Sequence, residues 1–273
     1  MNKLLLFDLD GTLLTSEKII SQKTCDALKK ARQEGFLIGI STSRSIKNSQ
    51  SFTKELVPDV IIASGGAIVT SAGKIIFKQE LTAEETMEII RAAREVLGAD
   101  CEITIDTAFE HYANYGEKYS SIEKTWGGDI YSDFDDWKEP SLKVCIRIVD
   151  DEAADRIRAG LSDYDSIRFT DEYWYKFTKK NITKENAIRY ICEYMDIRLE
   201  DIVAFGDDLA DIGMLELCGR GVAMGNAHPD VKAVADIVIG TNDDDGIAQY
   251  LSEKIFTETV TVSYHEENAE KMD

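Results

Sequence analysis

The chain has 273 residues, 44% hydrophobic and 30% charged, which is enough for one large or two modest domains with real cores. Its 51 acidic residues against 31 basic ones give a formal net charge of −20. That field repels a nucleic-acid backbone or an anionic membrane, so a small anionic substrate must find a local positive site made by lysine, helix N-termini or a bound metal.

Residues 4–7 are a four-residue apolar run, read as a buried parallel strand, and they deliver Asp8 and Asp10 into a Gly-Thr turn. Residues 21–35 follow as a helix with Cys25, Leu28 and Ala31 on one stripe and Gly35 as its stop. Residues 36–41 read as a second strand, about 45–56 as a polar helix, 59–64 as a third strand, and 67–77 as a hairpin turning at Ser71-Ala72-Gly73. Strands separated by helices of this length imply right-handed βαβ units and a parallel sheet.

The texture changes near residue 81. Thr82 and Glu85 form a capping box that opens a helix with Met87, Ile90, Ala93 and Leu97 inward. Strand 101–106, an aromatic-rich irregular stretch to about 140, strand 142–149, helix 151–161 and two short strands around 166–178 come next. Strands clustered in this way predict a small α+β module inserted into the first domain. The βα rhythm then returns. Residues 182–195 read as a helix burying Ala187, Tyr190, Ile191 and Tyr194; 201–208 is a strand ending in acids, and a helix runs to about 217. Short strands at 221–227 and 236–240, a closing helix and a charged, frayed tail complete the chain.

Five cysteines, at 25, 101, 145, 192 and 218, have no C-x-x-C spacing and are odd in number, which predicts reduced thiols without disulfides or a zinc site. With no leader-like N-terminus and no apolar run of bilayer length, a cytoplasmic protein is expected. Oligomeric state has no signature in the sequence.

Four constellations carry chemistry. Asp8 and Asp10 stand at the carboxyl end of the first strand, where open α/β sheets place their sites. Two acids so close repel unless a cation or a shared proton offsets them. One can act as a nucleophile in phosphoryl transfer and the other as acid and base; equally, they can cap the following helix. Thr42, Ser43 and Arg44 close the second strand, where hydroxyls and helix N–H groups can bind phosphate oxygens or simply form an N-cap. Lys184 opens a helix against the macrodipole, a local violation that hints at function. Asp207 and Asp211 sit four apart at another strand end, suited to Mg²⁺ or to a helix N-terminus.

In this order the motifs resemble the haloacid dehalogenase (HAD) superfamily of phosphatases, and their spacing resembles its Cof-type subfamily, IIB. DLDGTLL, Thr42, Lys184 and GDDLADIGML match the four motifs, and GVAMGNAHPDVKAVADIV with TNDDDGIA resembles the Cof-type C-terminal stretch. The resemblance implies a Rossmann-like α/β core, 1–80 and 182–273, with a cap at 81–181 that recognises the substrate, its candidate residues lying between Thr107 and Trp137. It implies Asp8 as nucleophile, Asp10 as general acid and base, and Thr42, Ser43 and Lys184 on the phosphoryl group. Mg²⁺ would be held by Asp8, Asp207 and the Asp10 carbonyl. Asp211 would act through a metal-bound water or by orienting Lys184, and Arg44 would contact phosphate or substrate or else pair with a surface acid. Three positions depart from the pattern: Ala210 replaces an asparagine, Ser64-Gly65 an Asn-Gly, and Ser43 a glycine. The expected function is a Mg²⁺-dependent phosphatase of sugar or cofactor phosphates. A phosphosugar mutase shares both acids, and Ala210 suggests a third reading, a sugar-phosphate-binding regulator with weakened catalysis.

Overall fold

Leu4 to Phe7 are wholly buried, so β1 (Lys3–Phe7) is the centre of a sheet and not an edge. The computed structural model describes residues 3–54, 56–115, 130–169 and 173–256. From β1 the chain passes through α1 (Gln22–Gln33) to β2 (Phe36–Ser41), and through α2 (Ile46–Thr53) to β3 (Val60–Ala63). β4 (Ile68–Ser71) and β5 (Lys74–Lys78) form the expected hairpin.

α3 (Ala83–Leu97) begins a second unit containing β6 (Ile103–Asp106), β7 (His111–Ala113), β8 (Ile130–Tyr131), β9 (Lys143–Arg147), α4 (Asp151–Gly160), β10 (Tyr164–Arg168) and β11 (Trp174–Lys179). The chain then returns through α5 (Lys184–Met195), β12 (Ile202–Gly206), α6 (Ile212–Leu217), β13 (Arg220–Ala223), α7 (Pro229–Val234), β14 (Ile237–Val238) and α8 (Gly246–Tyr250).

The first sheet has eight strands in the order β14-β13-β12-β1-β2-β3-β4-β5, parallel from β14 through β3. The chain first steps from β1 to one side and later returns to the other, so β1 is flanked by β2 and β12 at a topological switch point. The second sheet, in the order β10-β11-β9-β6-β7-β8, is antiparallel apart from the short β7–β8 pair. α3 and α4 cover one face of it through Ile89, Ile90, Ala93, Ala153, Ala154 and Ile157. The fold is therefore a Rossmann-like parallel core with an inserted α/β cap.

Local expectations met the structure unevenly. The Thr82–Glu85 capping box is formed in both directions, at 2.6 and 3.2 Å. The buried stripe of α3 is Thr86, Ile89, Ile90 and Ala93, with Met87 and Leu97 half-buried at its edges. On α1 the stripe is Thr24, Leu28 and Ala31, and Cys25 flanks it. The largest rotation is in α5, which buries Lys184, Ala187, Ile188 and Ile191 while Tyr194 is 57% exposed. Apolar periodicity cannot register that helix, because its first turn must bury a lysine. The irregular stretch before residue 140 contains β7 and β8; Trp126-Gly127-Gly128 and the C-terminal tail lie outside the described residues. All five cysteines are free, and among the described residues no helix is long and apolar enough to cross a membrane.

Candidate active site

The carboxyl ends of β1, β2 and β12 converge. Asp8 continues β1, its N–H bonded to the Phe205 carbonyl at 2.9 Å. Gly11 follows with φ 74°, and a β-carbon there would run into the Asp207 carboxylate, so the turn needs glycine both for its conformation and for the close approach. Thr12 then donates its hydroxyl to Asp207 Oδ1 at 2.6 Å.

Lys184 is the first residue of α5, behind the N-cap Thr183. Its ammonium is 4% exposed on the side chain and uses all three hydrogens: Asp8 Oδ1 at 2.7 Å, Asp211 Oδ1 at 2.6 Å and the Ser41 carbonyl at 2.9 Å. Burial works against its charge, but Asp211 and Asp8 outweigh it and hold the pKa above the ordinary lysine value.

Asp211 does not sit beside Asp207 on a helix face, as four-residue spacing suggests. A 3₁₀ turn, Leu209–Asp211, precedes α6, and Asp211 folds back so that Oδ2 accepts the N–H groups of Asp207 and Asp208, each at 3.1 Å. Both of its oxygens are thus engaged. Carboxylate oxygens of Asp8, Asp207 and Asp211 nevertheless lie within 4.8 Å of one another. Burial lifts Asp8 well above the usual carboxylate range, with Lys184 opposing and Asp211 and Asp207 adding to the rise. Burial and then Asp211 push Asp207 up to about 7. Three close carboxylates around one ammonium leave excess negative charge, and hard oxygen donors suit a divalent cation, so the residues fit one.

Asp10 points elsewhere. Arg44 grips it with two nitrogens, at 2.6 and 2.8 Å, and Lys18 bonds it at 2.8 Å. Burial would raise the Asp10 pKa, but the two cations override it and lower it. Arg44 is 1% exposed and also lies 4.7 Å from the centre of the Phe52 ring. The partner of Arg44 is therefore Asp10, part-buried at the site, and not an acid of the outer surface. The Thr42 hydroxyl accepts from Arg44 N–H at 3.1 Å, which leaves its own proton free to donate. Ser43 is half-buried, and its carbonyl accepts from Lys143 Nζ at 2.7 Å.

That lysine belongs to a group that sequence reasoning missed. β6, β9 and β11 turn Ile103, Ile105, Val144, Ile146, Tyr175 and Phe177 into the core of the second unit. The alternate positions Asp106, Lys143, Lys176 and Thr178 face the other way and are buried as well. Asp106 accepts from Ser64 Oγ at 3.0 Å, lies 3.2 Å from Lys143 Nζ and is 2.5 Å from His111 Nδ1. Lys47 and Glu110 form a further ion pair between the two units. The available signal was a lysine alternating with apolar residues in LKVCI and WYKFT. The C-terminal stretch buttresses the loop after β1: Asn226 donates to the Gly11 carbonyl at 2.7 Å, and Asn242 to that of Leu14 at 2.9 Å.

A charged, buried constellation at the switch point of a parallel sheet, roofed by an inserted unit, defines a hydrolase-like α/β protein. The sequence model of the haloacid dehalogenase-like hydrolase family matches residues 5–251, and the chain belongs to that family. The 5-amino-6-(5-phospho-D-ribitylamino)uracil phosphatase YcsE of Bacillus subtilis is 29% identical over 250 residues, covering 90% of this chain and 93% of the relative. The HAD subclass IIB sugar phosphatase BT4131 superposes with a TM-score of 0.79 at 26% identity, covering 92% of this chain and 98% of that one. BT1666 of Bacteroides thetaiotaomicron, a HAD-superfamily phosphatase, gives 0.77 at 28% identity, covering 92% and 94%. The chain is a HAD phosphatase of the Cof-type subclass IIB, a hydrolase of phosphoric monoesters.

Proposed function

We propose that the chain is a Mg²⁺-dependent phosphatase that hydrolyses small phosphorylated metabolites, sugar phosphates or cofactor phosphates, through an aspartyl-phosphate on Asp8. The observation that carries this is the Lys184 ammonium held between Asp8 and Asp211, residues brought together from separate strand ends. Residues 1–80 and 182–273 form the catalytic core in this reading, and 81–181 the cap.

Asp8 attacks phosphorus through its free carboxylate oxygen, and the bond to the leaving oxygen breaks. In this reading Asp10 is the group that gives this alkoxide its proton and then takes one from the water that hydrolyses the acyl phosphate. That role requires its carboxylate to leave the Arg44 and Lys18 pairs that hold it ionised. Lys184 offsets the charge of Asp8 and the transferring group, and Thr42 and Ser43 donate to its oxygens. Asp8, Asp207 and the Asp10 carbonyl would hold Mg²⁺, which supplies charge neutralisation at the phosphoryl group. Asp211, with both oxygens occupied, orients Lys184. The relatives named as a ribitylaminouracil phosphatase and a sugar phosphatase support a small polyol or sugar phosphate as substrate. The five free cysteines fit a reducing, cytoplasmic setting.

Release of inorganic phosphate from a panel of monophosphates with Mg²⁺, compared between the wild type and Asp8→Asn, tests the reading. A mutase would retain the phosphoryl group, and a regulator would bind without releasing it.

A further inference from the structure

Among the described residues, three buried cations at the site have anionic partners. Lys184 has Asp8 and Asp211, Arg44 has Asp10, and Lys143 has Asp106. The Lys176 residue is 3% exposed, and its ammonium forms no hydrogen bond or ion pair with any described residue. Holding an unneutralised ammonium on a nearly buried side chain costs free energy, and a negative group in the cavity it faces would offset that cost.

The surroundings show where the ammonium points. Lys176 lies on the polar face of β11 and reaches over Gly65, in the turn that follows β3. Gly65 has φ 67°, and a β-carbon on it would clash with the ammonium, so this turn is shaped to admit the lysine. Lys176 also lines a cavity of about 200 Å³ together with Ser43, Gly65, Thr183, Lys184 and Ala210. The cavity thus touches the second-strand motif, the motif lysine and the position where the family's usual asparagine is missing. Glu185 lines it too, with its carboxylate packed against Gly213 and not on the ammonium. The Thr178 hydroxyl, two residues along the same face, is buried without a hydrogen-bond partner. Burial first, then like charge from Lys143 and Lys184 with Cys145 and Glu185 opposing, lowers the Lys176 pKa to about 8, so the group is largely cationic at neutral pH.

We propose that Lys176 seats a second anionic group of the substrate, a carboxylate or a further phosphate carried by the part of the molecule that leaves. The inference rests on the phosphatase reading for the position of the reacting phosphoryl group, at Asp8 and Lys184. It adds that the substrate bears negative charge at both ends. A cavity this small, below the roughly 300–1,000 Å³ of drug-sized ligand sites, suits a compact acid. In a protein of net charge −20 such a seat also separates anionic substrates from neutral ones.

The test compares matched pairs: 3-phosphoglycerate with glycerol 3-phosphate for a carboxylate, and fructose 1,6-bisphosphate with fructose 6-phosphate for a second phosphate. In the wild type the anionic member of at least one pair should have a kcat/KM about tenfold or more above its partner, mostly through KM; which pair responds tells carboxylate from phosphate. Lys176→Met should lower that ratio about ten- to hundredfold, and Lys176→Arg, which keeps the charge, should restore part of it. Equal rates within both pairs in the wild type, or a Lys176→Met loss shared equally by neutral and anionic members, overturns the inference. Calorimetry with the same four compounds on Asp8→Asn separates the two failures. Turnover without charge preference defeats this inference alone. Preferential binding of the anionic member without turnover in the wild type defeats the phosphatase reading alone. Neither preference nor turnover defeats both.

Discussion

Replacing Asp211 by asparagine separates two jobs open to its carboxylate, orienting Lys184 or holding a metal through water. The side chain is wholly buried; Oδ1 accepts a hydrogen bond from Lys184 at 2.6 Å, and Oδ2 accepts two from backbone N–H groups at 3.1 Å. Asparagine has one acceptor oxygen. If it serves the two N–H groups, its amide nitrogen faces the ammonium, donor against donor. Breaking one partner of a buried pair costs about 3–5 kcal/mol, and because Asp8 still holds Lys184 the lower figure of about 3 kcal/mol applies. For a chain near this size each kcal/mol moves the melting point by roughly 2–4 °C, so a fall of roughly 6–12 °C is expected. Urea unfolding measures the first quantity, and phosphate release against Mg²⁺ concentration measures the second job. Turnover should drop about a hundredfold, while the Mg²⁺ concentration for half-maximal rate moves less than about threefold. A stable variant whose Mg²⁺ requirement rises tenfold would refute the orienting role.

Asp8→Asn should lower phosphate release by at least about a thousandfold with the fold intact by circular dichroism; activity within tenfold of the wild type would remove Asp8 as the nucleophile. Chelation should abolish turnover and Mg²⁺ should restore it. Added Mg²⁺ should also raise the melting point, because a cation between Asp8 and Asp207 relieves their repulsion; a melting point indifferent to Mg²⁺ counts against the metal site. For Asp106, burial raises the pKa, but Lys143 and His111 prevail and hold it down at about 2 against an ordinary 3.8. A depressed carboxylate stabilises the fold above its unfolded pKa, and that stabilisation, about 2 kcal/mol, is lost as pH falls from about 4 through about 2. Asp106→Asn should therefore be less stable than the wild type at pH 7, with the gap closing by pH 2; a gap that ignores pH excludes this linkage.

The parallel sheet and the gathering of Asp8, Thr42, Lys184 and Asp207 at its strand ends were legible because they follow from local rules: apolar runs make central strands, and acids or hydroxyls just past them face the switch point. Lys184 was legible for a different reason, as a cation placed where the helix dipole disfavours one. Arg44 was only half legible. The sequence offered phosphate or a surface acid as its partner, and the partner is Asp10, because the loop after β1 crosses the end of β2. Tyr190 packs half-buried against the core, but Tyr194 faces solvent because α5 must aim Lys184 at Asp8, a constraint that exists only in three dimensions.

The second sheet was hardest for the same reason. One face is packed by α3 and α4, and a half-exposed sheet predicts polar residues, wet and unremarked, on the other. Here that face is roofed onto the core, so Asp106, Lys143 and Lys176 are buried instead of solvated. A lysine alternating with apolar residues therefore has opposite meanings in the two settings. On an open sheet it is a solubilising edge. Over an active site, Lys143 becomes a clasp on the Ser43 carbonyl, and Lys176 an unneutralised charge aimed into a cavity. Only the docking of the two sheets, secured by Ser64–Asp106 and Lys143–Ser43, decides between them.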